Sequence, residues 1–211
     1  MKFIGIILLL LTSIFLIACS ANQASSKISN SELENLASKY GGVYVFNEKF
    51  EKEIEKQEQI RDSKRKEILK RIKAIPNKND RNKKMREILK LEFYNNPEMQ
   101  QILSNGKPYY TINTYQKAVN LSKTYIDKVI DYIGQENYYK FTPDINVWSF
   151  YVDDNNNIVP IELTVTYNYK VKKYGLFGDE GRGFSLSKGE IHTARGGNKF
   201  ILNNNKFEKA K

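Results

Sequence analysis

Sulfur and imidazole are almost missing from this chain: its 211 residues include one Cys and one His. A single cysteine excludes an internal disulfide framework and any thiolate zinc cluster, because both need several sulfurs. A lone histidine excludes His-rich metal sites and the HExxH type of metal helix. No metal site and no cofactor are expected. What the chain does have is a hydrophobic fraction of 40%, enough for a folded core rather than a disordered basic tail, and a formal charge of +10 from 34 Lys+Arg against 24 Asp+Glu. The length suits one ordinary domain, or one domain with a small helical extension.

Residues 4–18 form an apolar run behind a positive Met1-Lys2. The run has the length of a signal-peptide core and falls short of the roughly 20 residues that cross a bilayer. It ends in Leu16-Ile17-Ala18-Cys19. This stretch resembles the signal of bacterial lipoproteins, whose lipobox sets an aliphatic residue and a small residue before an obligatory Cys. The resemblance covers about the first twenty residues and implies cleavage between Ala18 and Cys19 by signal peptidase II. It further implies a diacylglycerol thioether on Cys19, a fatty acid such as palmitate on the new amino group, and membrane attachment through those acyl chains. Each buried CH₂ contributes about 0.8 kcal/mol, so two or three chains make a stable anchor. The implied location is the bacterial cell envelope. Ser20 in place of Asp after the Cys implies the outer membrane in a two-membrane bacterium, and otherwise the chain belongs on the outer face of the plasma membrane.

Residues 19–39 read as a flexible tether, because over 20–31 Ile28 is the sole large apolar residue. A charged helical region follows over 40–106. Tyr40-Gly41-Gly42-Val43-Tyr44-Val45-Phe46 is a short strand or a hydrophobic plug. Residues 47–75 lack Pro and Gly and predict one long helix ending at Pro76, largely solvated or packed only at its ends, as an arm or one side of a helical hairpin, with Glu48–Lys52, Asp62–Lys66 and Glu67–Arg71 as supporting pairs. A second helix over 80–94 carries Met85, Ile88, Leu89 and Phe93 on one face.

Nearly all the net charge sits in residues 61–90, where thirteen basic residues meet four acidic ones. Arg61, Lys64, Arg65, Lys66, Lys70, Arg71, Lys83, Lys84 and Arg86 are candidates for docking an anionic polymer or headgroup. The competing reading is a solvated helical surface. The basic positions fall on every side of the first helix, and Arg, which forms the phosphate forks, supplies only seven of the 34 cations. Export through a lipoprotein signal makes nucleic acid the least suitable partner.

The carboxy-terminal part, 107–211, reads as an α+β module. Tyr115, Val119, Ser122, Ile126, Val129 and Ile133 step by four and three, predicting a helix over 113–134 with Asn113 and Gln116 as a capping box. Strands follow over 145–152, 158–174, 184–195 and 199–207. In the second, Ile161, Leu163, Val165, Tyr167, Tyr169 and Val171 alternate with polar residues, predicting one buried and one wet face. The expected fold is charged amino-terminal helices, then a helix packed on an antiparallel sheet of about four strands. It loosely resembles the cystatin-like or NTF2-like arrangement.

Three further candidates arise. Asp153-Asp154-Asn155-Asn156-Asn157 has oxygen ligands but lacks the Gly at position six and Glu at position twelve of a calcium loop, so a hairpin turn is expected. The glycine-rich segment 175–183 reads as a mobile loop whose Leu176, Phe177, Asp179, Glu180 and Arg182 could meet a partner. His192, oriented by Asp179 or Glu180, is a weak candidate base for a small hydrolase. No nucleophile elbow or paired-carboxylate motif accompanies it. Trp148 and the tyrosines near it are expected to pack in core and rim. The functional expectation is a lipid-anchored, non-enzymatic envelope protein with a binding or structural role, its partner an envelope protein or anionic polymer. The alternative is a surface adhesin or polyanion binder working through residues 61–90.

Overall fold

A computed structural model describes residues 30–181 and 183–210. Cys19, Ala18 and residues 19–29 of the expected tether lie outside them, whereas residues 30–39 of that tether are helical, with Leu33 and Ala37 buried. The fold is α+β: β1 (Gly42–Val45), α2 (Glu48–Lys73), α3 (Lys78–Ile88), β2 (Tyr109–Thr111), α4 (Lys123–Ile133), α5 (Gln135–Lys140), β3 (Asp144–Val152), β4 (Ile158–Asp179), β5 (Gly183–Ala194), β6 (Asn198–Asn203) and β7 (Lys206–Lys209), preceded by helix α1 over 30–40. The chain divides into two compact units. One holds the described residues up to Gly42 with Ile133–Asp144 and Val165–Asn198; the other holds Val43–Tyr132, Ile145–Thr164 and Lys199–Lys211.

Strand order is β2-β3-β4-β1-β6-β7, with β5 paired to β4, so the sheet has seven strands where about four were expected. The aromatic segment after Tyr40 is a strand, β1, placed centrally between β4 and β6 with Tyr44 and Val45 fully buried. The expected last strand is a hairpin, β6 and β7, in which Asn203 faces Lys206 and Asn204 and Asn205 turn the chain with positive φ. Asparagine tolerates that conformation better than most residues.

In the second unit the sheet is covered on both faces. Adjacent β6 residues point opposite ways. Phe200 stacks with Tyr44 and Tyr132 at 4.6 and 4.9 Å, and Phe207 and Phe46 join Tyr125 in the same aromatic cluster, which α4 closes. Lys199, its neighbour, reaches Glu51 on α2 at 2.7 Å. Helix α2 starts at Asn47, whose side chain accepts the Phe50 N–H at 3.0 Å. Its first half packs across the sheet through Phe50, on Tyr151, and through Ile54, which is buried with Leu103, Tyr109 and Ile161. The first half of the long helix is therefore not merely solvated, while its second half forms one side of the expected helical hairpin, with Ile68 and Ile72 packed on Phe93 and Met99. For the same reason the start of the expected wet face of β4 is covered in this unit, Glu162 and Thr164 being only partly exposed, whereas Asn168, Lys170 and Lys172 further along the strand are exposed as expected.

Helix α4 is shorter than its sequence pattern. Residues 113–122 are not α-helical, and Asn113 caps nothing. Thr114 Oγ1 accepts the Thr111 N–H at 2.9 Å and bonds the Thr111 carbonyl, closing a turn where the helix would start. Tyr115 is meanwhile held 5.1 Å from Phe150 and 5.0 Å from Tyr110 on the sheet. A local hydroxyl turn and an aromatic anchor outweigh the helical period.

In the first unit, α1 buries Leu33, Ala37 and Tyr40. Gly41, Gly42 and Gly196 let backbone touch backbone there. A Cβ on Gly41 would stand 2.5 Å from the Ala37 carbonyl oxygen, and one on Gly196 2.0 Å from that of Gly41. Asn198 bridges the junction, its Nδ2 donating to Ser38 O at 2.7 Å and Gly41 O at 2.8 Å.

Candidate functional site

The basic run divides by what its side chains touch. Helix α2, α3 and a π-helical turn, Leu89–Tyr94, form a hairpin around Ile68, Ile72, Phe93 and Met99. Four of the nine candidate docking residues serve that hairpin. Arg71 chelates Glu92 at 3.0 and 2.6 Å, and Lys64 reaches Glu92 at 3.0 Å and Glu67 at 3.2 Å. Arg61 pairs with Glu58 at 3.2 Å, donates to the Met99 carbonyl and lies 4.7 Å over the Phe93 ring. Arg65 bonds Asp62 and lies 5.3 Å from the same ring. The Asp62–Lys66 pair expected from spacing gives way to this Arg65 contact, whereas Glu48–Lys52 and Glu67–Arg71 form at 2.6 and 3.6 Å. Lys84 pairs with Glu87 at 3.6 Å. Lys66, Lys70, Lys83 and Arg86 are exposed and have no ion-pair partner among the described residues. Of these, Lys66 and Lys70 share the outer side of α2 with Lys73, within about 60° of one another.

A groove of about 1020 Å³ lies between residues 115–128 and the β3–β4 turn. Tyr115, Tyr125, Lys117, Lys128, Asn156 and Ile158 are among its walls. The turn itself is the expected hairpin: Asp153 accepts the N–H groups of Asn155 and Asn157 at 2.9 and 2.8 Å, which holds its carboxyl below the usual range. Its Oδ1 is committed to the backbone and its Oδ2 accepts from the Asn157 side-chain amide at 3.1 Å. Among the described residues no group of His, Cys, Asp and Glu could hold a metal ion.

The segment expected to be a glycine-rich loop is the far end of a two-stranded ribbon. Strand β4 runs unbroken from Ile158 to Asp179 and pairs with β5 from Tyr167↔Ala194 to Asp179↔Gly183, with a bulge between Tyr174 and Phe177. Glycines at 175, 178 and 183 accept extended and positive-φ backbone, so they end the ribbon rather than prevent it. Tyr174, Leu176, Phe184, Leu186 and Ile191 are exposed on it. Arg182 and the side chain of Asp179 lie outside the described residues; Glu180 is exposed in the closing turn.

His192 sits at the other end, opposite Tyr169, whose ring is 5.7 Å away. Nine residues of strand separate it from the Asp179↔Gly183 pair, about 30 Å at 3.3 Å per residue. Asp179 and Glu180 therefore cannot orient it. Its nearest carboxylate is Glu190, at 3.8 Å.

One polar cluster escaped the sequence reading. Beneath α2, Ser149 donates to Glu162 Oε2 at 2.6 Å while Glu51 holds Lys199. Burial raises the Glu162 pKa above its usual value, and the Glu51 charge adds to the effect. Alternation marked Glu162 as a wet-face residue; only the docking of α2 on that face buries it. Trp148 is half exposed, whereas Phe150 and Tyr109 are buried.

No family model, curated protein or solved structure matches the chain. None of these comparisons supports the loose resemblance to cystatin-like or NTF2-like folds, and what the structure shows is the α+β class.

Proposed function

We propose that this chain is a lipid-anchored protein of the bacterial cell envelope with a non-enzymatic binding role. The observation that carries the reading is the position of its one cysteine, directly after Leu16-Ile17-Ala18 at the end of the apolar run. Among the described residues no helix is long and apolar enough to cross a membrane, so attachment would fall to the acyl chains on Cys19. The groove beside Tyr115 and Tyr125 supports a binding role, since its walls mix aromatic faces with amide and ammonium groups such as those of Asn156 and Lys117. Outer-membrane placement follows Ser20 if the cell has two membranes. Metabolic labelling with palmitate tests the anchor: the natural chain takes up label, and Cys19→Ala remains an unlabelled, unprocessed precursor. Labelling retained by Cys19→Ala sinks the reading. Pull-down of the lipidated protein from its own envelope then identifies the partner.

A second reading, docking on an anionic polymer through the basic helices, draws on the unpaired Lys66, Lys70 and Lys73. It requires heparin or anionic-lipid binding that weakens with salt and with Lys66→Gln/Lys70→Gln/Lys73→Gln.

A further inference from the structure

The outer edge of β5 is open over twelve residues, because its one partner among the described strands is β4. Unpaired edges invite pairing with another chain, and proteins blunt them with proline, with lysine or by covering them. Strand β5 has no proline, and it carries exposed Phe184, Leu186 and Ile191, with Leu186 77% exposed. Its edge lysine, Lys188, would ordinarily repel a second copy. Two residues on, however, stands Glu190, on the same face by the two-residue period of a strand. On that face Lys173, Lys188 and His192 surround Glu190 at 2.7, 3.8 and 3.8 Å, three cationic or protonatable groups against one carboxylate. Lys188, at the long end of that range, has capacity for another partner.

We propose that two copies of this chain associate by antiparallel pairing of their β5 edges about a two-fold axis at Gly189. In that register Lys188 of each copy faces Glu190 of the other, Leu186 faces His192, Ser187 faces Ile191 and Phe184 faces Ala194. The strands overlap over almost their whole length. Neighbouring registers are worse. Centring the axis on residue 188 sets the two Lys188 side chains opposite each other, and centring it on 190 does the same for Glu190; like charges directly opposed destabilise a pair. Centring on 187 puts Glu190 against Phe184. An axis between residues would send facing side chains to opposite faces. Gly189 at the axis has open space where a Cβ would stand, so nothing obstructs the close approach. The lysine that would protect a lone edge becomes, with its glutamate, the selector of one register.

The pairing fixes where a disulfide can form. Directly opposed antiparallel residues have Cα atoms about 4.5–5.5 Å apart, within disulfide reach. The test uses the full chain carrying Cys19→Ser in mild detergent, so that an added thiol is the sole one. Gly189→Cys should oxidise to a covalent dimer, while Ser185→Cys, facing residue 193, should not. Equal cross-linking at both positions, or none at 189, overturns the proposal. Sedimentation supplies a second readout: Lys188→Glu and Glu190→Lys should each weaken association about tenfold, and the double swap should restore it. A double swap no better than the single changes overturns the register. A monomer that instead binds anionic vesicles, and loses that binding with Phe184→Ser/Leu186→Ser, assigns the apolar band to lipid and overturns the pairing.

Discussion

The two terminal guanidinium nitrogens of Arg71, Nη1 and Nη2, hold the carboxylate of Glu92 at 3.0 and 2.6 Å, and so pin the π-helical turn to α2. Twenty-one residues separate the two in sequence. The contact reassigns part of the basic run: Arg71, with Lys64, answers an internal carboxylate instead of waiting for an external anion. Where α3 passes into the π turn, the wider helix spacing accompanies a face that presents Glu92 to α2 while Phe93 enters the core.

Acid should therefore loosen the helical hairpin first. Arg71 and Lys64 pull the Glu92 pKa down to about 2 from 4.5. A depressed carboxylate contributes stability that is present above its unfolded pKa and is lost as pH falls through the folded one. The window here runs from about 4.5 down to about 2. Glu92→Gln should lower the melting temperature at pH 7 and flatten the acid limb in that window, read by circular dichroism. An unchanged acid limb would show that the bidentate pair contributes nothing.

How much of this was legible in the sequence depends on whether an element answers to its own neighbours or to distant ones. Helix α2 has its cap, its breaker and its i,i+4 pairs within reach, and its bounds agree with the pattern to within two residues. The alternation of Ile161, Leu163, Val165 and Tyr167 likewise gave their burial. Residues 113–122 failed because Tyr115 answers to Phe150, thirty-five positions away in sequence. The ribbon failed for another reason: the four glycines of 175–183 looked like a loop, yet cross-strand pairing carries the two strands as far as Asp179↔Gly183. The cluster of Ser149, Glu162, Glu51 and Lys199 draws on four separate elements, and local pattern carries no trace of such a meeting.

The glycine junction should tolerate no side chain. Gly42 has φ of +146°, and a Cβ there would fall 2.0 Å from the Asn198 carbonyl oxygen. Gly41 lacks the unusual φ but meets two backbones, Ala37 O and Gly196 N, neither of which can rotate aside as a side chain would. Gly41→Ala should cost about 1–3 kcal/mol through overpacking, and Gly42→Ala more because strain is added. Urea unfolding measures both. A Gly41→Ala protein with natural stability would show that the junction has slack.

Removing one oxygen should stabilise the protein. The Tyr167 hydroxyl is buried with no hydrogen-bond partner among the described residues, and burial pushes its pKa up to about 12. An unsatisfied buried hydroxyl costs about 1–3 kcal/mol, and the ring's packing does not depend on it. Tyr167→Phe should raise the unfolding free energy by about 1 kcal/mol. A loss of stability would mean that the hydroxyl has a partner, such as a bound water, and that Tyr167 is part of a polar network.

Glu162 should give the opposite pH signature to Glu92. Burial beneath α2, reinforced by Glu51 and Glu55, raises its pKa above the ordinary 4.5, with Ser149 and Lys199 opposing the shift. The folded state therefore binds the Glu162 proton more tightly than the unfolded chain does. At pH below 4.5 both states are protonated and nothing is lost; as pH rises from there through the elevated folded value, stability falls and stays lower. Glu162→Gln keeps an oxygen that can accept from the Ser149 hydroxyl and removes the buried charge. The variant should match the natural protein at pH 4 and be more stable at pH 7, a difference growing across that interval. Ser149→Ala is the complement: it deletes a donor that favours the ionised carboxylate, so it should deepen the loss at pH 7. If Glu162→Gln destabilises equally at both pH values, the carboxylate is held by contacts other than those to Ser149, and the reading of α2 seated over an uneasy buried acid fails.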